Sequence, residues 1–326
     1  MRNFPIIDLH CDLLVYLLMN PDARADGTAF GAGLPYLQEG NVALQVMAIY
    51  TAVEAESSQK GIIQSVIYKN LLDDYADSFY QADAEFKPTE KGVGMVASLE
   101  SASGLCNEEE PLDNAFKNLE TILENVGRLF YISFTHHAEN RFGGGNYATA
   151  GLKKDGEALL DYMSGKQIAI DLSHTSDALA HDILDYTYKS GLEVPVIASH
   201  SNFRDIWDHP RNLTRENAQE IVDRKGLIGV NFLRAFLNND SPEALLDHIN
   251  YGFGLSGGKE AMAFGADFFY TGDFPDPARL PYYFPQHENA TKYQGILEEL
   301  SDNLTESQLS ALAHQNAERF IASNWK

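Results

Sequence analysis

Eight short apolar segments alternate with helix-like segments along the chain, and this alternation constrains the fold more than any other feature. Each segment is nearly continuous in apolar character, as a strand covered on both faces should be. The candidate strands are residues 4–9, 43–50, 93–99, 129–135, 167–172, 194–199, 227–233 and 262–266. Eight strand–helix units in 326 residues predict an α/β fold, a (β/α)8 barrel of the TIM type, as a single domain over residues 1–326.

An open, doubly wound sheet is the competing architecture for the same alternation. Such sheets usually carry a glycine-rich phosphate-binding turn after the first strand. Here the first strand continues into His10-Cys11-Asp12, and the later run Gly143-Gly144-Gly145 lacks the lysine and hydroxyl residue of a phosphate loop. The sequence therefore favours the barrel.

Helices are expected between the strands. The longest is predicted from Lys60 to Tyr80, with a core-facing stripe of Ile62, Ile63, Val66, Ile67 and Leu71. Capping residues mark the starts of three others, namely Ser176, Thr214 and Thr305, the last in capping-box form with Gln308. Residues 270–290 form a long irregular segment after the last strand. We expect its aromatic residues Tyr282, Tyr283 and Phe284 to line the pocket.

Seven metal-ligating or titratable side chains come at or directly after strand ends. They are His10, Asp12, Glu100, His136, His174, His200 and Asp267. In a barrel of this type all of these positions lie at the carboxyl-terminal rim, where barrel active sites are built. A single such residue is more often a cap or a satisfied polar group, whereas the joint pattern indicates a site.

The residue types suit a pair of divalent metal ions. His10 and Asp12 are two residues apart on an extended strand, so both face the same side and Cys11 points away. They can share one metal, His174 and His200 can share the other, and Glu100 has an oxygen for each. Two metals about 3.5–4 Å apart would hold a bridging hydroxide as the nucleophile, which leaves Asp267 as the proton shuttle.

Two further aspartates precede proposed ligands by two or three residues. Asp8 and Asp171 could each orient a histidine, or could equally cap a strand end. The other histidines fall in predicted loops or helices and are interpreted as surface or packing residues: His137, His181, His209, His248, His287 and His314.

The ordered motifs resemble those of a known family. They are Asp8-Leu9-His10-Cys11-Asp12, Phe134-Thr135-His136, Asp171-Leu172-Ser173-His174, Ser199-His200-Ser201, Arg211-Asn212, Gly229-Val230-Asn231-Phe232 and Gly265-Ala266-Asp267-Phe268. With this set the chain resembles the renal (membrane) dipeptidase family of dinuclear zinc peptidases, which are amidohydrolase-like barrels. The chain departs from the family pattern directly after Glu100 and Asp267, so we expect differences in substrate specificity with the ligand set retained.

The resemblance implies a role for each matched residue. His10 and Asp12 would bind one zinc, His174 and His200 the other, and Glu100 both, giving two Zn²⁺ or other divalent ions per chain. His136 would polarise the scissile carbonyl, Arg211 would bind the substrate carboxylate, and Asp267 would transfer the proton. The implied enzyme is a zinc-dependent dipeptidase that hydrolyses short dipeptides with a free C-terminal carboxylate.

Other functions remain open from the residues alone. The same site could act on an N-acyl amino acid or a lactone, or carry out a deamination. A non-catalytic metal-binding barrel is a further alternative, because fold alone does not establish function.

Charge narrows the range of partners. With 24 basic against 47 acidic residues the net charge is −23, which disfavours nucleic acids and anionic membranes. We expect a small peptide as substrate, with a homodimer left open as the assembly. No apolar leader or run of 18 apolar residues is evident, so the cytoplasm is the expected location.

Overall fold

The computed structural model describes residues 3–273 and 278–325. Within them nine strands form one parallel sheet: β1 (Ile6–Cys11), β2 (Val42–Tyr50), β3 (Phe79–Gln81), β4 (Val93–Glu100), β5 (Leu129–Ser133), β6 (Ala169–Asp171), β7 (Val196–Ile197), β8 (Ile228–Val230) and β9 (Met262–Phe264). The strands pair in the order β7-β6-β5-β4-β2-β1-β9-β8. Ala198 bridges Ile228, which brings β7 beside β8 and nearly closes the ring.

The eight predicted strands are the eight strands of this barrel, so the predicted fold is confirmed. One additional strand, β3, was not predicted. It pairs in parallel with the first half of β4, whereas β5 pairs with the second half. Its sequence Phe-Tyr-Gln is too short to stand out from the helical pattern that precedes it.

Helices surround the barrel: α1 (Leu13–Met19), α2 (Leu34–Glu39), α3 (Ser57–Asp74), α4 (Asp113–Val126), α5 (Lys154–Met163), α6 (Asp177–Lys189), α7 (Arg215–Asp223), α8 (Arg234–Leu237), α9 (Ala244–Gly254), α10 (Tyr293–Leu300), α11 (Glu306–Ser310) and α12 (Asn316–Asn324). The predicted caps Ser176, Thr214 and Thr305 all accept a backbone N–H, and Thr305 forms the predicted capping box. Across the described ranges, we find no helix with the length and apolar character needed to traverse a lipid bilayer.

Helix α3 differs from its prediction in both extent and orientation. It ends at Asp74, and its last predicted residues belong to β3 instead. The buried face carries Gly61, Gln64, Tyr68 and Leu71, whereas Ile63 and Val66 of the predicted stripe are about 40% exposed. Gln64 exchanges hydrogen bonds with the backbone of Tyr50 at the end of β2, so a polar contact decides which face is buried.

The apolar core has two layers. Residues of the barrel strands contribute alternately to the layer under the helices and to the layer inside the barrel. The inner layer continues into α12, where Phe320 stacks on Phe130 and Trp325 packs edge-on against the same ring. This closes the amino-terminal end of the barrel. An open cleft of about 890 Å³ beside it, lined in part by Arg224 and Arg319, contains none of the predicted rim residues.

The segment after β9 carries the aromatic residues that were expected to line the pocket. Tyr283 and Phe284 are buried and pack in the core, whereas Tyr282 is half-buried against Phe269, and their place in the pocket wall stays a prediction. The Tyr283 hydroxyl donates to the backbone carbonyl of Asp267. Aromatic residues in an irregular segment can therefore support a site from below. Residues 274–277 of this segment lie outside the described residues.

Candidate active site

The carboxyl ends of the strands bring the predicted side chains together around Glu100. Its Oε2 lies 3.4 Å from Nε2 of His10. Its Oε1 lies 2.9 Å from Nε2 of His174, 3.4 Å from Nε2 of His200 and 4.0 Å from Nε2 of His136. The two oxygens of one carboxylate thus face histidines of opposite sides of the rim.

Two more carboxylates flank His10. Its Nε2 is 3.8 Å from Oδ1 of Asp12 and 3.6 Å from Oδ1 of Asp267. The outer oxygen of Asp267 accepts a hydrogen bond from Nδ2 of Asn231 at 2.7 Å. Cys11, between His10 and Asp12, packs in the layer under the helices, as the alternation along the strand predicted.

The backbone is strained at two of these positions. His174 and Asp267 adopt left-handed conformations, with φ of 65° and 62°. Such φ values are uncommon for residues other than glycine and cost on the order of 1–3 kcal/mol. Conformations of this kind collect at functional sites, where the surrounding structure holds them in place.

The ring orientation of His200 is fixed by a relay from Asp171. The Ser199 hydroxyl lies 2.7 Å from Oδ2 of Asp171 and 2.6 Å from Nδ1 of His200. A hydroxyl has one hydrogen, and Ser199 donates it to the carboxylate, so the Nδ1–H of His200 must donate to Ser199. The lone pair of His200 is therefore on Nε2, which faces Glu100.

His10 reaches the same state through an uncharged partner. The Tyr131 hydroxyl donates to the backbone carbonyl of Leu9 at 3.3 Å, and Nδ1 of His10 lies 2.6 Å from the same hydroxyl oxygen. With the Tyr131 hydrogen on the Leu9 carbonyl, Nδ1–H of His10 is the donor to the hydroxyl oxygen, and in this tautomer the lone pair on Nε2 points into the site.

One amide oxygen fixes the rings of His174 and His137. Oδ1 of Asn146 lies 3.2 Å from Nδ1 of His174 and 2.9 Å from Nδ1 of His137. An amide oxygen can only accept, so both rings carry Nδ1–H and leave Nε2 free as an acceptor. His137 was interpreted as a surface or packing residue; the structure places its ring 5.0 Å from that of His174, at the mouth of the site.

The glycine run 143–145 lets the chain place Asn146 beside the two histidine rings. A Cβ on Gly145 would lie 2.3 Å from the carbonyl oxygen of His136, and one on Gly144 would lie 2.2 Å from that of Ala150. Only glycine permits these backbone approaches. The signal that the run carried was a close backbone approach beside His136.

The electrostatics of the cluster call for positive charge. Burial raises the pKa of Glu100 to about 8 and that of Asp267 to about 6, and holds the pKa of Asp12 well above its usual range. Burial also lowers the pKa values of His136, His174 and His200 well below their usual range, so these rings are neutral. Neutral imidazoles bind metal ions through their free nitrogen, and the raised carboxyl pKa values mean that the ionised carboxylates need a nearby cation to stabilise them.

Unpartnered atoms point in the same direction. Nε2 of His10 and Oδ1 of Asp12 are buried and have no hydrogen-bond partner among the described residues. Nitrogen and carboxylate ligands converge in the groups His10–Glu100–His200, His10–Asp12–Asp267 and His136–His137–His174, each within 4.8 Å. The donor set therefore fits divalent cations of the zinc type.

Arg211 lies beside this cluster and is 3% exposed. Its Nη1 donates to Oγ of Ser201 at 2.7 Å and its Nη2 to the carbonyl of His200 at 2.9 Å, whereas its buried Nε has no hydrogen-bond partner within the described ranges. A buried guanidinium with hydrogen-bonding capacity to spare is suited to a carboxylate. Only the family resemblance had singled out this arginine.

The departures from the family pattern leave the proposed ligands in place. After Glu100, the hydroxyls of Ser101 and Ser103 accept hydrogen bonds from Nδ2 of Asn140 at 3.4 and 3.1 Å. After Asp267, Phe268 packs in the core, and its carbonyl accepts from the backbone N–H of Asp12 at 2.9 Å. Both segments support the rim from outside the cluster.

Comparisons with known proteins agree with this geometry. The membrane dipeptidase family (peptidase family M19) matches residues 1–324. An uncharacterized dipeptidase of Schizosaccharomyces pombe is 23% identical over 98% of this chain and 80% of its own length. An uncharacterized protein of Acinetobacter calcoaceticus is 30% identical over 50% of this chain, and the match spans about half (52%) of that relative's length.

Solved structures share the fold. A metallopeptidase from Rhodobacter sphaeroides, solved with a phosphinate mimic of the dipeptide L-Ala-D-Ala, has a TM-score of 0.84 at 19% identity, over 99% of this chain and 100% of that one. A dipeptidase of family M19 has a TM-score of 0.83 at 20% identity, over 99% of both chains. Fold, site and family match lead to one conclusion: the chain belongs to the membrane dipeptidase family, peptidase family M19, a family of metal-dependent hydrolases of peptide bonds.

Proposed function

We propose that the protein is a dipeptidase that uses two divalent cations, zinc by ligand type, to hydrolyse dipeptides with a free C-terminal carboxylate. The observation that carries this proposal is the placement of Glu100 between His10 on one side and His174 and His200 on the other. A carboxylate whose two oxygens face separate nitrogen ligands suits a pair of cations better than a single one.

The cations would be held by residues of both sides of the rim. His10 and Asp12 would hold one, His174 and His200 the other, and Glu100 both. When bound, the cations supply Lewis-acid polarisation of the carbonyl and activation of water. The protein's own part is to present the lone pairs of three Nε2 atoms, which it does by engaging every Nδ1–H elsewhere.

Substrate placement follows from Arg211 and His136. Arg211 would bind the C-terminal carboxylate, since its buried Nε lacks a partner in the described structure and its other nitrogens are held by Ser201 and His200. The neutral His136, at the mouth and 4.0 Å from Glu100, would donate a hydrogen bond to the scissile carbonyl oxygen as negative charge develops on it. Asp267, held by Asn231, would take the proton from water and pass it to the leaving amine.

Changing Arg211 and the C-terminal group of the substrate, singly and together, tests the substrate assignment. The wild type and Arg211→Ala would each be assayed on Ala-Ala and on its C-terminal amide, which lacks the carboxylate charge. We expect the wild type to prefer the free acid by about 100-fold in kcat/KM, and the variant to lose most of this preference, because breaking a buried charge pair costs about 2–5 kcal/mol.

Arg211→Lys is the matched control, because it keeps the charge and loses the planar fork. We expect an intermediate preference from it. An unchanged preference in Arg211→Ala would refute the role of Arg211. A wild type that does not prefer the free acid would favour a substrate without a carboxylate, such as a lactone.

A further inference from the structure

Five rings line the mouth of the site in a continuous curve, which we call the aromatic arc: His136, His137, Tyr147, His209 and Phe236. Successive ring centroids are 3.9, 4.9, 6.4 and 5.1 Å apart. The first ring is the proposed partner of the scissile carbonyl. The last lies against Arg211, whose Cζ is 5.5 Å from the Phe236 centroid. The arc therefore joins the two proposed substrate anchors.

Tyr147 is the exposed member at the middle of the arc. Its side chain is 61% exposed, although the residue before it, Asn146, is buried and bonded to two histidines. Its backbone N–H donates to the carbonyl of His137 at 3.2 Å, which fixes the loop behind the ring. A large aromatic ring held at the mouth of a polar site offers apolar surface to a ligand.

The arc ends beside a positive charge. Phe236 lies against the guanidinium of Arg211, and His209 lies between Phe236 and Tyr147. The arc therefore presents ring faces next to the cationic Arg211.

We propose that the aromatic arc binds the side chain of the C-terminal residue of the dipeptide, and that the protein prefers a large apolar or aromatic residue there. The inference rests on the proposed function, since it needs the carbonyl at His136 and the carboxylate at Arg211. The residue that spans these two anchors is the C-terminal one. Its side chain leaves the α-carbon between them, where Tyr147 stands.

The test is a substrate series on the zinc-loaded enzyme. Ala-Gly, Ala-Ala, Ala-Leu and Ala-Phe would be assayed with the C-terminal residue in both L and D form, because the two enantiomers direct the side chain to opposite sides. We expect kcat/KM to rise from Gly to Phe by at least about tenfold in one enantiomeric series, as an aromatic contact of this kind provides. Tyr147→Ala should lower the Phe-to-Gly ratio by about tenfold.

Two variants serve as controls. Tyr147→Phe keeps the ring and should keep the ratio. Tyr188→Ala removes a tyrosine that is 79% exposed on α6, outside the arc, and should leave every substrate unaffected.

The outcomes separate the two proposals. Hydrolysis that is flat from Gly to Phe in both enantiomeric series refutes the arc alone, as does a Tyr147→Ala variant that loses activity equally on every substrate. No hydrolysis of any dipeptide by the zinc-loaded wild type refutes the proposed function, and the arc proposal falls with it.

Discussion

Each side of the rim has an aspartate shortly before a histidine in the sequence. On both sides a histidine keeps its Nε2 lone pair toward the site, but different groups hold the ring. On the β1 side, Asp8 precedes His10 by two residues; on the β6–β7 side, Asp171 precedes His174 by three. Asp8 accepts from the backbone N–H groups of His10 and Ala266 at 3.0 and 2.8 Å, and so joins the ends of β1 and β9. Among the described residues, its carboxylate makes no hydrogen bond to a histidine ring.

Asp171 does reach a ring, but that of His200 rather than the nearer His174. It accepts from the Ser199 hydroxyl, which accepts in turn from His200. On the β1 side the corresponding acceptor for His10 is the uncharged Tyr131. An aspartate near a histidine in the sequence therefore need not be the group that orients the histidine. In both cases a hydroxyl group, that of Tyr131 or that of Ser199, accepts the hydrogen bond from the ring.

Glu100→Gln should have the largest effect, because Glu100 is the one proposed ligand that faces both sides. We expect kcat/KM on dipeptides to fall on the order of a thousandfold, since an amide lacks the negative charge that two cations require. Activity and metal content per chain would be measured together. Full activity in Glu100→Gln would contradict the proposed link between the two sides.

Asp267→Asn should rank second. The proton step loses its carboxylate, while the hydrogen bond from Asn231 can be replaced by one to the new amide. We expect kcat to fall by about 10²–10⁴ with a smaller change in KM and with metal content retained. A variant that instead loses metal would show that Asp267 acts as a ligand, in line with its place beside His10 and Asp12.

Asp171→Asn and Asp8→Asn separate the two aspartates directly. Asp171→Asn should lower the affinity for the cation on the β6–β7 side by about 10- to 100-fold, because the hydrogen-bond relay that holds His200 loses its charge. Asp8→Asn should lower the free energy of unfolding by about 1–3 kcal/mol and leave cation affinity unchanged, since buried backbone N–H groups lose a charged acceptor. Asp171 also accepts from the backbone N–H groups of Ser173 and Ser199, so the loss of cation affinity is what separates the two variants. Metal titration and urea unfolding of both variants would show whether the effects are distinct; the same profile for both would break the comparison.

The smallest effects should come from the uncharged acceptors. Tyr131→Phe removes the hydrogen-bond partner of His10, and Ser199→Ala removes that of His200. Each variant should therefore lower the affinity for a different cation by about tenfold. A two-step zinc titration can assign each loss to the tighter or the weaker site. If both variants affect the same step, the assignment of His10 and His200 to separate cations is wrong.

The barrel could be predicted because its strands are buried on both faces and stay apolar throughout. The buried face of helix α3 could not, since it is built from Gly61, Gln64 and Tyr68, and the close approach of Gly61 to the backbone of Gly104 does not show as an apolar stripe. The contacts that brought the rim residues together were predictable from strand order alone.

What the strand ends could not indicate depends on contacts between distant segments. The contacts of Asn146 need the loop of residues 143–145 to pack on His136. The proposed role of Arg211, which only the family resemblance indicated, needs Ser201 and His200 beside it. Neither residue follows a strand directly, so strand ends gave no reason to select them.

The central claim is that the two sides of the rim hold two cations that cleave a dipeptide, and metal analysis combined with an assay tests it most directly. The purified protein would be analysed for zinc and assayed on a small dipeptide panel before chelation, after it, and after reloading. The account predicts about two zinc ions per chain, with cleavage lost on chelation and restored by zinc. A protein that holds no metal after reloading, or that holds two zinc ions and cleaves no dipeptide, would contradict it.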